Sequence, residues 1–177
     1  MKTSKLIFAL ALFSFLTSNA QITKGNWMVG GSGNFYSAQL KDNNNSTNSI
    51  GLELRPNLGY FLYDKIAVGI SPLLAYNKPE NGSSVTSYGF GPYARYYLLK
   101  TENRINLLTH IEYAYYTSSN NSKDKNTSLN FKAGPAIYFN SSVALEMTLN
   151  YNINNINSTT TYNILSFGLG FQIHLEK

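Results

Sequence analysis

The sequence predicts an all-β protein: an eight-stranded antiparallel up-and-down transmembrane β-barrel that follows a cleaved signal peptide. Three observations predict this fold. The chain begins with a short basic and then apolar segment, the remainder alternates with the period of β-strands, and charged residues are scarce. They make up 13% of the chain, whereas a soluble domain carries about a quarter. The shortage indicates a surface that does not face water.

The N-terminal segment has the pattern of a secretory signal peptide. Lys2 and Lys5 precede an apolar stretch at 6–16, and small residues at 17–20 fit a cleavage site before Gln21. This stretch is too short for a membrane-spanning helix. We therefore predict a signal peptide at 1–20 and one barrel domain at 21–177. The chain has no cysteine, so disulfides play no part.

The rest of the chain alternates between apolar and polar residues with period two, which is the signature of strands with two different faces. The clearest case is 143–153, where Val143, Leu145 and Met147 share one face and Glu146 lies on the other. The pattern predicts eight strands at 26–38, 49–62, 66–77, 85–98, 105–116, 127–139, 143–153 and 161–174.

The segments between these strands predict two different rims. Long stretches rich in Asn, Ser, Thr and Lys at 39–48, 78–84, 117–126 and 154–160 alternate with shorter ones at 63–65, 99–104 and 140–142. Long loops on one side and short turns on the other are typical of membrane barrels.

The charged residues within the strands decide between two closed barrels. A soluble, lipocalin-like barrel would bury the apolar face, and a membrane barrel would expose it to lipid. Six charges are too few for a solvated exterior, and three acids against three bases suit a closed interior, where an unpaired charge is costly. The membrane barrel is favoured. All six lie on the polar face: Glu53, Arg55, Arg95, Glu112, Lys132 and Glu146.

Proline lacks the N–H that a β-ladder needs, and a closed barrel has no edge strand to accommodate it. We therefore predict bulges or local breaks in pairing near Pro56, Pro72, Pro92 and Pro135.

Aromatic residues predict two outward-facing belts at the membrane–water interfaces. Among them, Tyr138 is expected near the rim that carries the chain ends. Tyr36 and Tyr162 are expected near the opposite rim.

The last predicted strand resembles the assembly signal of outer-membrane proteins: polar, any, Gly, any, any, apolar, any, apolar. Ser166, Gly168, Phe171 and Ile173 occupy its defined positions. The resemblance implies that the barrel-assembly machinery recognises this strand.

More broadly, the stretches 25–31, 56–61 and 89–97 resemble the small outer-membrane β-barrel (porin-like) proteins of Bacteroidetes-type bacteria. This resemblance implies a bacterial outer-membrane location, with outer-membrane lipids and lipopolysaccharide as neighbours. The long loops would then be extracellular, and the short turns and both termini periplasmic.

The candidate site is a polar network in the lumen. His110 is expected to face the lumen two residues before Glu112, and both are expected to join the charged set, which gives Glu53, Arg55, Arg95, His110, Glu112, Lys132 and Glu146. We expect no catalytic residue, metal or cofactor. Scattered charge also disfavours a nucleic-acid partner, and we expect a monomer.

The leading functional hypothesis is a non-enzymatic barrel with a structural or surface-interaction role carried by its extracellular loops, its lumen largely closed by the charged network. Three alternatives stay open at this point. They are a narrow small-solute porin, a lipid-modifying enzyme centred on His110 and Glu112, and a soluble ligand-binding barrel. The sequence does not name a ligand.

Overall fold

A computed structural model describes residues 22–42, 45–156 and 160–177. The predicted signal peptide lies outside these ranges. Eight antiparallel strands pair in chain order, and the last pairs with the first to close a barrel. Among the described segments, no helix is suited to crossing a membrane. The strands are β1 (Trp27–Asp42), β2 (Asn45–Tyr63), β3 (Ile66–Pro79), β4 (Val85–Tyr97), β5 (Ile105–Ser118), β6 (Asn121–Tyr138), β7 (Val143–Ile156) and β8 (Thr160–Leu175).

All eight predicted strands are present, but in the described part of the chain the predicted contrast between long and short loops is wrong. Residues 43–44 of the predicted loop at 39–48 and residues 157–159 of the one at 154–160 lie outside the described residues. At the rim away from the chain ends, hereafter the far rim, β1 and β2 stay paired up to Asp42 and Asn45, and β5 and β6 up to Ser118 and Asn121. The connection at 98–104, on the rim that carries the chain ends, is the longest in the described part of the chain. Polar Asn, Ser and Thr suit both faces of a hairpin in water, so the ladder continues through segments predicted as loops.

The two faces of the wall follow the predicted alternation. On β7, the outward side chain of Leu149 is 57% exposed, while the next residue, Asn150, points inward and is fully buried. All six charged residues singled out in the sequence point inward. Large apolar side chains cover the outside of every strand. The arrangement contradicts the soluble alternative, which requires the apolar face inside.

The prolines interrupt pairing as predicted, but without bulges. Each interruption leaves the register unchanged on its two sides. The two register shifts in the described part of the barrel lie elsewhere, near Leu62 and near Thr117. Each of these prolines keeps its pairing with the neighbouring strand on its other side. The ladder is interrupted between β2 and β3 at Pro56 and Pro72, between β4 and β5 at Pro92, and between β6 and β7 at Pro135.

Three tyrosines assigned to the outer belts are inside the barrel instead. Tyr138 is 2% exposed within the lumen. Tyr36 packs its ring against Gly51, where a Cβ would lie 2.1 Å from a ring atom, and Tyr162 lines an inner cavity. All three occupy positions whose side chains point inward in the alternation of their strands. This alternation outweighs the general preference of Tyr for membrane interfaces.

The seam between β1 and β8 is only half paired. Its ladder runs from Trp27 and Leu175 to Asn34 and Gly168. Between that point and the far rim, residues 35–42 pair with β2 and residues 160–167 pair with β7. No pair among the described residues joins β1 to β8 there. The wall therefore has an unpaired seam that extends to the far rim.

Candidate functional site

An ion-pair chain crosses the lumen at mid-height. Arg55 contacts two carboxylates: its Nε donates to Glu53 Oε1 at 2.7 Å, and its Nη1 donates to Glu112 Oε1. Arg55 and Glu112 are almost completely buried. A buried charge is stabilised only when it is paired and its remaining donors and acceptors are satisfied. One guanidinium thus compensates two acids that come from separate strands.

A third ion pair lies closer to the rim with the chain ends. Arg95 Nη1 donates to Glu146 Oε1 at 2.6 Å, and the hydroxyl of Tyr97 lies 3.4 Å from the same oxygen. The other carboxylate oxygen of Glu146 accepts from Gln172 Nε2 at 3.3 Å. The pair joins β4 to β7 across the barrel interior.

His110 connects the pair Arg95–Glu146 to Glu112, and so to the two ion pairs of Arg55. Its Nδ1 accepts from Arg95 Nε at 3.4 Å, and its Nε2 lies 3.4 Å from Glu112 Oε2. The ring stacks on Tyr93 with 4.8 Å between centroids. These contacts hold the imidazole, which is 5% exposed, inside the filled part of the lumen.

Lys132 lies in the lumen but outside the chain of direct contacts. Its Nζ donates to Ser32 Oγ at 3.0 Å, and among the described residues no carboxylate lies within 4.0 Å of it. The structure thus brings six of the seven predicted network residues into contact and leaves Lys132 beside them.

An aromatic plug that was not predicted from the sequence fills the lumen at the rim with the chain ends. His174 lies among the rings of Phe61, Tyr97 and Tyr138, with centroid distances of 5.5 to 6.1 Å. Met28 is buried in the same cluster. The plug could have been predicted from the alternation of each strand, because these large side chains occupy inward-facing positions.

On the far-rim side of the ion pairs, a layer of side-chain amides crosses the barrel. Asn34 Nδ2 donates to Glu53 Oε1, and Asn150 Nδ2 donates to Asn34 Oδ1, both at 3.0 Å. Thr148 Oγ1 donates to Asn150 Oδ1 at 2.9 Å. Gly168 leaves the space that this layer occupies, since a Cβ there would lie 2.3 Å from Asn34 Oδ1.

The half of the lumen toward the far rim contains a cavity of about 320 Å³, hereafter the cup. Glu53 and Arg55 contribute to its lining at the level of the ion pairs, and Asn120 marks its reach toward the far rim. Its other lining residues are Asn34, Tyr36, Leu73, Ala75, Asn77, Val85, Ser87, Tyr116, Ser118, Asn126, Asn152, Asn154, Tyr162, Ile164 and Ser166.

The four residues of the predicted assembly signal share β8 but form no cluster. Ser166 lines the cup, Gly168 faces the amide layer, and Phe171 and Ile173 point outward. In the described part of the chain, no three His, Asp or Glu side chains gather in a way that would hold a metal ion. Five of the six charged lumen residues are paired with one another, while Lys132 donates to a hydroxyl.

Neither a family model nor a curated protein matches the chain. Solved structures do match its fold. Neisserial surface protein A (NspA) superposes with a TM-score of 0.61 at 13% identity, covering 87% of this chain and 98% of that one. The outer-membrane protein OprG from Pseudomonas aeruginosa gives 0.53 at 15% identity, covering 89% and 100%. The chain thus has the closed eight-stranded antiparallel barrel fold seen in bacterial outer-membrane proteins.

Proposed function

We propose that the protein is a non-enzymatic outer-membrane barrel with a closed lumen and a structural or surface-interaction role. The observation that carries the proposal is the ion-pair chain from Glu53 through Arg55, Glu112 and His110 to Arg95 and Glu146. Together with the aromatic plug, this chain fills the lumen from the level of Arg55 to the rim with the chain ends. An interior filled in this way leaves no space for a diffusion channel.

The surroundings of His110 support a structural role over a catalytic one. Its contacts are Arg95, Glu112 and Tyr93, all within the filled interior. A lipid-modifying site would need access from the outer wall or from an open part of the lumen, and a general base must reach its substrate within hydrogen-bond distance.

The apolar outer wall and the fold of the neighbours support a place in the bacterial outer membrane, among its lipids and lipopolysaccharide. We place the far rim outside the cell and both termini in the periplasm. The surface role then belongs to the extended ends of the hairpins β1–β2 and β5–β6 and to the loop at 80–84, rather than to long loops. We further propose a monomer whose β8 is read by the barrel-assembly machinery.

Planar-bilayer conductance of the refolded protein (residues 21–177) tests the closed lumen. We expect no steady channel, because charged and aromatic side chains fill the interior. The double variant Arg95→Ser/Glu146→Ser removes one ion pair without leaving an unpaired charge, and we expect it to show brief openings as water enters that layer.

The matched control is Lys100→Ser/Glu102→Ser, which removes one base and one acid from the exposed connection at 98–104 and should behave like the unaltered protein. A steady, large conductance of the unaltered protein would refute the proposal and favour the porin alternative.

A further inference from the structure

We propose that the cup is a binding site for a neutral saccharide, either free or as the headgroup of a glycolipid. This inference goes beyond a closed barrel with a role at its surface, because it assigns a ligand class to the interior. It rests on the wall chemistry of the cup, on unsatisfied buried acceptors, on its charge balance and on the unpaired seam beside it.

Amides and hydroxyls dominate the polar wall of the cup. An amide side chain both donates and accepts hydrogen bonds, and a hydroxyl does the same. A sugar presents a matching set of hydroxyls that also donate and accept. The polar residues concerned are Asn34, Asn77, Asn120, Asn126, Asn152, Asn154, Ser87, Ser118 and Ser166.

Two of these amides carry buried acceptors without a partner among the described residues. Asn152 is 5% exposed, and its Oδ1 accepts no hydrogen bond. The buried Oδ1 of Asn77 is in the same situation. An unsatisfied buried polar atom costs about 1–3 kcal/mol, so a ligand hydroxyl that donates to either atom would relieve that cost.

The charge balance of the cup favours a neutral ligand. Glu53 and Arg55, the charged residues among its lining, are paired with each other at 2.7 Å, and Arg55 also contacts Glu112. Among the described residues of the lining, no cation is therefore left to bind a phosphate or a carboxylate. A site whose polar groups are neutral amides selects ligands by hydroxyl pattern rather than by charge.

Three tyrosines supply rings on which a sugar can pack. Tyr36, Tyr116 and Tyr162 line the cup at the level of the amides, and tyrosine combines an apolar ring with a polar tip. The apolar C–H faces of a sugar ring fit such rings. The volume of about 320 Å³ lies at the lower end of the range for small-molecule pockets, about 300–1,000 Å³, which suits one or two sugar units.

The unpaired seam gives the cup a side entrance. Tyr36 on β1 and Tyr162 on β8 line the cup, and both belong to the stretches of these strands that do not pair with each other. On the outer side, Phe35 is 68% and Leu165 is 65% exposed. A glycolipid could thus place its headgroup in the cup while its acyl chains stay outside, against apolar side chains.

Calorimetric titration of the refolded protein with free maltose, lactose and trehalose, in a detergent without a sugar headgroup, tests the proposal. Lactosylceramide in phosphatidylcholine vesicles that contain the protein supplies the lipid-linked form. We expect binding of at least one of these probes. Asn152→Leu and Tyr162→Ala should each weaken it by about tenfold, the equivalent of about 1.4 kcal/mol. Asn103→Leu, an exposed position on the connection at 98–104 and away from the cup and the seam, is the control that should leave it unchanged.

The set of probes that bind distinguishes a free saccharide from the headgroup of a glycolipid. Binding of a free disaccharide supports entry through the far rim, and binding of lactosylceramide alone supports entry through the seam. Three outcomes overturn the proposal: no probe binds, binding persists in both cup variants, or inorganic phosphate binds as tightly as the sugars. Heat-modifiable gel mobility reports folding, so Tyr162→Ala carries the test if Asn152→Leu does not fold. A closed, non-conducting barrel without sugar binding would overturn this inference and leave the proposed function intact.

Discussion

Replacement of Arg55 with Ala is expected to destabilise the folded barrel by about 3–5 kcal/mol, the range for breaking a buried ion pair by removing one partner. The variant leaves the carboxylates of Glu53 and Glu112 without their shared guanidinium. Glu112 is almost completely buried, so its carboxylate is poorly hydrated once the contact is lost. Urea unfolding of the refolded protein, followed by intrinsic fluorescence, measures the change.

Two control variants test whether the effect of Arg55→Ala is specific to the buried ion pairs. Lys100→Ala removes a cation from an exposed position and should change the free energy of unfolding by less than about 0.5 kcal/mol. Combining Arg55→Ala with Glu53→Gln and Glu112→Gln should recover a large part of the loss, because the buried carboxylates are then neutral. If Arg55→Ala unfolds at the same urea concentration as Lys100→Ala, the ion-pair chain does not hold the barrel together.

Gly168→Ala should be nearly as damaging, although it adds only one methyl group. A Cβ at this position would lie 2.3 Å from Asn34 Oδ1 and 2.5 Å from Asn150 Nδ2. These two amides hydrogen-bond to each other and join β1 to β7 past the strand that carries Gly168. Overpacking a filled interior costs about 1–3 kcal/mol. Separating the amides adds about 1–3 kcal/mol for each buried polar group left unsatisfied. The same urea titration measures the loss.

Gly33→Ala is the matched control, because it makes the same change on the neighbouring strand. A Cβ at Gly33 would meet its nearest neighbour, Leu54 Cδ2, at an ordinary 3.5 Å. We expect a small effect or none on stability. If the two variants are destabilised equally, position 168 requires the backbone flexibility of glycine. The space that Asn34 and Asn150 occupy would then not be the reason for glycine at this position.

The inside and outside of the wall could be predicted from the sequence because a strand has a strict period of two. The parity that places Leu149 outward and Asn150 inward also places Arg55 and Arg95 in the lumen. The same parity would have placed Tyr36 and Tyr138 inside. They were assigned outward because tyrosine is common at membrane interfaces, and local parity proved the stronger determinant.

The partners of the charges could not be predicted, because they depend on how the strands stagger around the closed barrel. Arg55 meets Glu112 57 residues away, and Lys132 meets Ser32 100 residues away. The sequence shows that these side chains point inward, but it contains no local signal for their heights relative to one another. Lys132 therefore joined the predicted network, although it contacts a hydroxyl instead of an acid.

The rims were the least predictable part of the fold. Polar residues are compatible with a loop and equally with a hairpin that continues into water, so composition did not distinguish them at 39–48 or 117–126. The unpaired seam between β1 and β8 likewise has no sequence signal, because its strands keep their alternation on both sides of Asn34 and Gly168.

Labelling of single cysteines in cells that express the chain tests most directly whether the apolar wall faces lipid, because the natural sequence has no cysteine. We predict that a membrane-impermeant maleimide labels Ser83→Cys on intact cells and Glu102→Cys only after the outer membrane is permeabilised. Leu149→Cys should stay unlabelled in both conditions, although this position is 57% exposed on the outer wall, because lipid covers it. Rapid labelling of Leu149→Cys in folded, membrane-associated protein would show that the wall faces water and would contradict the membrane barrel.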